Sequence, residues 1–276
     1  MDTISIEELT KKRLANPWIM YTEPFHVVDN IYFLGNSWVS SFLVDTQEGL
    51  ILIDCAMQET SYQLIDSIHR LGFDPMRIKK LLISHAHFDH CGAARIIQEL
   101  SGCEIWLGKD DLFFLTDRRD LIYFEDRVPE FLVYQTYDYN SEIELGGVSI
   151  QPVHCPGHTP GTTSFLLQAK VGNKQATCAM HGGLGINTLS KEVLNRLKLP
   201  LSLQDDYRKQ LTLMMDMKVD VLLPSHPGHV VEYDFLGLGH DTQKSEEKFV
   251  DPTAWEKMLS AKLKQFDDMN KEDLPE

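Results

Sequence analysis

IKKLLISHAHFDHCGAARIIQEL, residues 78–100, carries the decision about the fold. IKKLLIS (78–84) predicts a buried strand, and CGAARIIQEL (91–100) predicts a helix with its apolar residues at helical spacing. Between them HAHFDH holds His85, His87, Asp89 and His90. In an extended segment alternate side chains share a face, so His85 and His87 point the same way and can grip one ion. Asp89 and His90 come where the chain turns into the helix and can face a second point. Imidazole and carboxylate are ligands that zinc takes, usually four at a time. A histidine-rich loop without metal is the competing reading. The residue types, their spacing and the strand-to-helix context favour ligands.

One loop cannot complete two four-coordinate sites, so further ligands are expected after other strands. VHCPGHTPGTTSF (153–165) supplies His154 and His158. His158 stands in a Pro-Gly-His-Thr-Pro-Gly turn, whereas His154 lies within the strand and reads as structural. VDVLLPSHPGH (219–229) supplies His226 directly after a strand, with His229 at the expected mouth of the site.

Around these motifs, strands and helices alternate. PFHVVDNIYFLGNSWVSSFLVDTQEGLILIDCA contains short apolar runs broken by turn residues, which predicts antiparallel hairpins. Residues 58–71 read as a helix and CEIWLG as another strand, giving β-α-β-α-β after the hairpins. The second half repeats the theme, with strands expected at 142–153, 163–170, 175–180 and 219–225. A helix at 203–217 carries Leu203, Tyr207, Leu211 and Met214 on one face. Asp251-Pro252 predicts an N-cap followed by proline at the first helical position. Trp255, Met258, Leu259, Leu263 and Phe266 form the stripe of that C-terminal helix, and the last residues, DDMNKEDLPE, are expected to fray. An α/β architecture of two sheets face to face with helices outside would bury such a chain. The expected organisation is one domain over 1–276, with an N-terminal extension (1–20), an aromatic-rich insert or lid (109–140) and a C-terminal helix and tail (251–276). Packing onto the core is the plain role for the aromatics of 109–140. A wall over a substrate pocket is the sharper one.

The chain has 276 residues and a formal net charge of −15. That charge disfavours nucleic acid as a partner, because phosphate binding needs clustered Lys and Arg. Lys11, Lys12 and Arg13 are not followed by the apolar core of a secretory signal, and no stretch has the length of a membrane span, so a cytoplasmic location and no membrane partner are expected. Five widely spaced cysteines without a C-x-x-C predict reduced thiols rather than a disulfide framework. G-x-S-x-G, Walker and G-x-G-x-x-G motifs are absent, so a serine triad or a phosphate loop is not read.

HAHFDH, PGHTPG and a strand leading to His226 together resemble the metallo-β-lactamase superfamily. The likeness is strongest to the third subclass of its class B lactamases, through PFHVVDNIYFLG, GLILIDCAM and QDDYRKQL…VDVLLPSHPG, and it spans about residues 18–235. It implies a four-layer αβ/βα sandwich with two zinc ions at one edge. Carried over, His85, His87 and His158 would hold one zinc, and Asp89, His90 and His226 the other. Asp89 would also steer the attacking water, and Asp54 would support the ligand loop from behind. The activity implied is hydrolysis of an amide or ester in a small-molecule substrate, β-lactamase-like. A cytoplasmic lactone or thioester hydrolase is the alternative, and a non-catalytic metal-binding protein is a third reading. CAMHGGLG (178–185) departs from the family: no bridging Asp is present, and Gly183 and Gly185 stand where the third subclass tends to place serines that help hold the lactam carboxylate. The di-iron branch resembles H-x-E-x-D-H, which His87 does not match. His181, Gly183, Gly185 and His229 are the candidate substrate contacts; His181 also reads as an extra ligand or, preferably, as a plain strand-end histidine.

Overall fold

Gly49–Ile53 is apolar at every position because both its faces are covered. Leu50 and Leu52 join a core with Leu64, Ile68 and Ile97, while Ile51 and Ile53 join a second core with Phe165, Leu167 and Met180. The two-residue alternation of a strand sends neighbours to opposite faces, and here each face meets a different layer.

The computed structural model describes residues 6–240 and 246–272. Its strands are β1 (Phe25–Val28), β2 (Ile31–Phe33), β3 (Phe42–Thr46), β4 (Gly49–Ile53), β5 (Ile78–Leu82), β6 (Glu104–Leu107), β7 (Gln135–Thr136), β8 (Ile143–Leu145), β9 (Val148–His154), β10 (Thr163–Val171), β11 (Lys174–Met180) and β12 (Val221–Leu222). Its α-helices are α1 (Ile6–Ala15), α2 (Ser61–Arg70), α3 (Phe88–Cys91), α4 (Ala94–Ser101), α5 (Leu112–Leu115), α6 (Lys191–Leu197), α7 (Ser202–Met215), α8 (Phe235–His240) and α9 (Ala254–Glu272).

The first sheet runs β1-β2-β3-β4-β5-β6-β7, antiparallel up to β4 and parallel beyond it. The second runs β12-β11-β10-β9-β8, antiparallel except for the β11–β12 pair. Two mixed sheets therefore face each other, with α2 and α4 covering the first and α7 and α9 packed on the other side, as the four-layer sandwich requires. At one edge the backbone joins the layers: Thr163 N donates to Ser84 O at 2.8 Å, and Ser40 N donates to Ser225 O at 2.9 Å. The chain leaves β5, β9 and β12 near this edge, and those exits carry the candidate ligands, while the exit of β4 carries Asp54.

Several elements differ from the sequence reading. The helix expected from Cys91 is two pieces, α3 and α4, separated where Ala93 N donates to Ala56 O at 3.3 Å. The strand expected over 219–225 pairs only at Val221–Leu222, since Pro224 has no N–H to donate and the chain turns toward His226. The C-terminal helix persists through Glu272, so most of the segment expected to fray is helical, and its last four residues lie outside the described ones. Asp251 Oδ1 accepts from Thr253 N at 2.9 Å, but α9 begins only at Ala254, so Asp251 caps the turn before the helix and Pro252 is not its first residue. All five cysteines are free and buried. Among the described residues no helix is long and apolar enough to cross a membrane.

Trp255 of α9 is 1% exposed, and its Nε1 donates to Met214 O of α7 at 2.7 Å. Trp255→Ala removes a large buried ring and one of the hydrogen bonds to that carbonyl, which Met217 N also reaches at 3.1 Å. The expected cost is about 3–5 kcal/mol, read by urea unfolding. A loss below about 1 kcal/mol would show that α9 is not part of the core.

Candidate metal centre and active site

His87 has extended backbone (φ −93°, ψ 152°) and stands at the N-cap position of α3. The extended half of the loop turns His85 and His87 to one point, and the first turn of α3 carries Asp89 and His90 to the next. His158 arrives from the turn after β9 and His226 from the turn after β12. The structure thus brings together two groups of three, His85 with His87 and His158, and Asp89 with His90 and His226. Within each group the donor atoms lie within 4.8 Å of one another. The rings of the first group stand 4.7 Å apart, centre to centre, and at 82° to 85° to each other, like blades around an axis. His85 and His90 rings are 4.1 Å apart, so the groups adjoin.

The outward-facing ring nitrogens settle the tautomers. His90 Nδ1 lies 2.7 Å from Asp54 Oδ2, His158 Nδ1 2.7 Å from Gly185 O, and His226 Nδ1 2.8 Å from Trp38 O. Carboxylate and carbonyl oxygens only accept, so each Nδ1 carries the proton and each Nε2 presents a lone pair. His85 Nδ1 faces Ser84 Oγ at 3.1 Å, whose hydrogen goes to Asp54, and it follows the same rule. His87 is turned the other way, with Nδ1 3.0 Å from His158 Nε2.

Consequently His90 Nε2 and His226 Nε2 meet at 3.1 Å with both lone pairs facing inward. Asp89 Oδ2 lies 3.8 Å and 3.7 Å from them. Tetrahedral ligands 2.0–2.1 Å from zinc stand about 3.3 Å apart, within the spread of these spacings. Converging lone pairs and a carboxylate, each ring oriented by an acceptor behind it, fit a divalent cation.

Charge in the site follows from burial. It lowers His85 and His87 well below an ordinary imidazole, and the surrounding rings add to that. It also brings His158 and His226 down to about 4. For His90 burial acts downward as well, but the carboxylates of Asp89 and Asp54 outweigh it and raise its pKa.

Asp54 follows β4 with φ at 55°, a left-handed conformation uncommon for a residue with a β-carbon. Its carboxylate is fully buried and accepts Ser84 N, Ser84 Oγ and His90 Nδ1, each at 2.7 Å. Gly183 and Gly185 sit against the His158 ring: a β-carbon would fall 2.7 Å and 2.9 Å from ring atoms there. Those glycines let the ring lie on the backbone. Both, with His229, line a cavity of about 780 Å³ that opens onto the two groups. His181 does not reach it. It is 2% exposed, its Nδ1 accepts from Gly183 N at 3.2 Å, and its ring packs toward Trp255, which matches the strand-end reading rather than the substrate contact. His154 bonds to Pro160 O at 3.0 Å, away from the site.

The aromatic stretch 109–140 divides between its two readings. Phe114 and Tyr137 are core, and Tyr137 Oη donates to Ile83 O at 3.0 Å beside the ligand loop. Tyr123 and Phe124 line the cavity, Tyr123 5.4 Å from the His87 ring. Both have positive φ, 59° and 44°, a strain that clusters at functional sites.

Asp111 escaped the sequence reading. Its buried carboxylate accepts Ala86 N at 3.0 Å, Thr159 Oγ1 at 2.8 Å and Gly161 N at 2.7 Å, tying the His85–His87 loop to the His158 turn. Burial raises its pKa to about 6. Its one sequence signal is an acidic residue just past a strand.

The family model described as Metallo-beta-lactamase superfamily matches residues 36–170. Among curated proteins, hydroxyacylglutathione hydrolase GloC of Haemophilus influenzae is 30% identical over 149 residues, 52% of this chain and 68% of that protein. An N-acyl homoserine lactonase of Bacillus sp is 23% identical over 158 residues, 47% of this chain and 58% of that one. The chain spans about half the length of several other curated relatives. Among solved structures, BJP-1, a subclass B3 metallo-beta-lactamase of Bradyrhizobium japonicum, superposes with a TM-score of 0.80 at 25% identity, covering 94% of this chain and 97% of that one. Native FEZ-1 metallo-beta-lactamase from Legionella gormanii gives 0.79 at 28%, covering 91% and 96%.

Two outcomes follow from this geometry. In metal-free protein the lowered His85, His87, His158 and His226 outnumber the raised His90 and Asp111, so the unfolded chain binds more protons between about pH 4 and 6.5. Stability is therefore expected to fall as pH drops through that window. A melting temperature that stays level or rises on acidification would contradict the buried neutral imidazoles. Asp111→Ala should cost about 2–4 kcal/mol and weaken zinc binding about 10–100-fold, measured by urea unfolding and chelator competition. Unchanged zinc affinity would remove Asp111 from the support of the site.

Proposed function

The chain belongs to the metallo-β-lactamase superfamily, and on that premise we propose that it is a dinuclear zinc hydrolase acting on an amide or ester carbonyl, with β-lactams as the first substrate class. The observation that carries this reading is the pair of three-donor groups with lone pairs converging at zinc spacing. Two zinc ions there would activate a water near neutral pH and polarise the carbonyl it attacks. His85, His87 and His158 would hold one, and Asp89, His90 and His226 the other. Asp89 has a second carboxylate oxygen, Oδ1, to take up the proton released by the water. Asp54 fixes the His90 ring, and Asp111 fixes the loop that carries His85 and His87. The cavity wall formed by Tyr123, Phe124, Gly183, Gly185 and His229 would orient a small-molecule substrate and exclude bulk water.

A second reading, a cytoplasmic lactone or thioester hydrolase without β-lactamase activity, has its own support. Gly183 and Gly185 offer no side chain to a lactam carboxylate, and the space a side chain would take there is filled by the His158 ring. The similarity to a hydroxyacylglutathione hydrolase and to a lactonase points the same way.

The test is turnover by purified, zinc-loaded protein of nitrocefin, an acyl-homoserine lactone and a hydroxyacyl thioester, with metal content measured on the same sample. His87→Ala should lower zinc content and cut turnover more than about a hundredfold. Full activity in metal-depleted His87→Ala would overturn the mechanism. Asp89→Asn should keep the fold and lose about 10²–10⁴ in turnover, because an amide is a poor ligand and no proton acceptor. Unchanged turnover would remove Asp89 from its role. Nitrocefin turnover selects the first reading. Lactone or thioester turnover alone selects the second.

A further inference from the structure

α1 contributes one face to the cavity. Glu7, Thr10 and Arg13, spaced three residues apart and so on one helix face, all line it. Glu7 is paired with Lys11 at 2.6 Å on the same helix, which offsets its charge. Arg13 forms no ion pair among the described residues. Its guanidinium lies instead over the Trp38 ring, 4.9 Å from the centroid, half-buried, and burial lowers its pKa. Among the described residues that line the cavity, Arg13 alone is a lysine or arginine.

Trp38 links this cation to the metal groups. Its carbonyl oxygen accepts His226 Nδ1 at 2.8 Å, and its ring packs edge-on against Phe88 at 5.8 Å, inside the ligand loop. Trp38 N and Val39 N both donate to Asn36 Oδ1, at 2.8 Å and 3.0 Å, which holds the turn. The residue that orients His226 is thus the one on which Arg13 rests. A guanidinium held over a ring makes no hydrogen bond to it, so its N–H groups stay available, and a planar fork of them takes a carboxylate by two parallel hydrogen bonds. The whole chain carries a formal −15, so an anionic substrate would meet repulsion at long range, and a local cation would have to offset it at the mouth.

We propose that Arg13, held on Trp38, is the residue that recognises a carboxylate on the substrate and so sets the preference of the site for anionic over neutral substrates. This rests on the reading of the cavity as a hydrolase site. Arg13 assigns that recognition to the N-terminal helix rather than to Gly183 and Gly185, where a family likeness would look for it.

Nitrocefin, which carries a carboxylate, and its neutral methyl ester share one reacting carbonyl and make the test. Binding of each to metal-free protein is measured by calorimetry, and turnover of each by zinc-loaded protein, for wild type, Arg13→Gln and Arg13→Lys. The expected result is an acid-over-ester preference of at least tenfold in wild type, lost in Arg13→Gln and partly kept in Arg13→Lys, appearing in Kd and KM rather than in kcat. An equal preference in wild type and Arg13→Gln, in either measurement, would overturn the proposal. The two readings fail separately. A binding preference that depends on Arg13 in a protein that hydrolyses neither compound supports the role of Arg13 and removes the β-lactamase reading. Hydrolysis of both compounds with no preference for the acid does the reverse.

Discussion

The carboxylate of Asp54 is the constraint on which the site depends. A fully buried charge is costly, and a left-handed backbone at a residue with a β-carbon adds strain. Three donors converge to offset that cost: the Ser84 amide, the Ser84 hydroxyl and the His90 ring, each at 2.7 Å. Together they join the end of β4 to the end of β5 and choose the tautomer of His90. If that carboxylate is withdrawn, the His90 Nδ1 proton loses its acceptor and the ring is no longer obliged to aim Nε2 at His226.

The rest of the site repeats the same logic with other acceptors. Gly185 O orients His158, and Trp38 O orients His226. Asp111 acts between the two loops that carry the first group. The sandwich makes this possible because strand exits from both sheets end at one edge. Each candidate ligand then follows a strand directly or opens a helix, and short loops of opposite layers hydrogen-bond across the gap. Burial does the remaining work, keeping four of the rings uncharged so that their lone pairs are available to a cation.

Much of this was legible in the sequence where the information is local. His85, His87, Asp89 and His90 follow from the two-residue alternation of an extended chain and a turn into helix. His158 and His226 follow from turns placed after strands. The stripes of α7 and α9 follow from helical spacing. What was not legible is long-range or carried by backbone. Asp111 works through amide groups fifty residues away along the chain, and Trp38 through its carbonyl, and neither leaves a pattern in residue type. Arg13 reads as part of a basic triplet until α1 is seen to contribute a face to the cavity. Of the readings open for His181, the plain strand-end histidine is the one its burial just past Met180 matches. The glycines at 183 and 185 read as missing substrate contacts, whereas their lack of a β-carbon gives the His158 ring its seat.

The central claim is that two groups of three side chains each hold a metal ion. Anomalous scattering at the zinc edge from crystals of zinc-loaded protein tests it most directly. The account predicts two peaks, one among His85, His87 and His158 and one among Asp89, His90 and His226. A single peak, or zinc bound elsewhere with both groups empty, would contradict it.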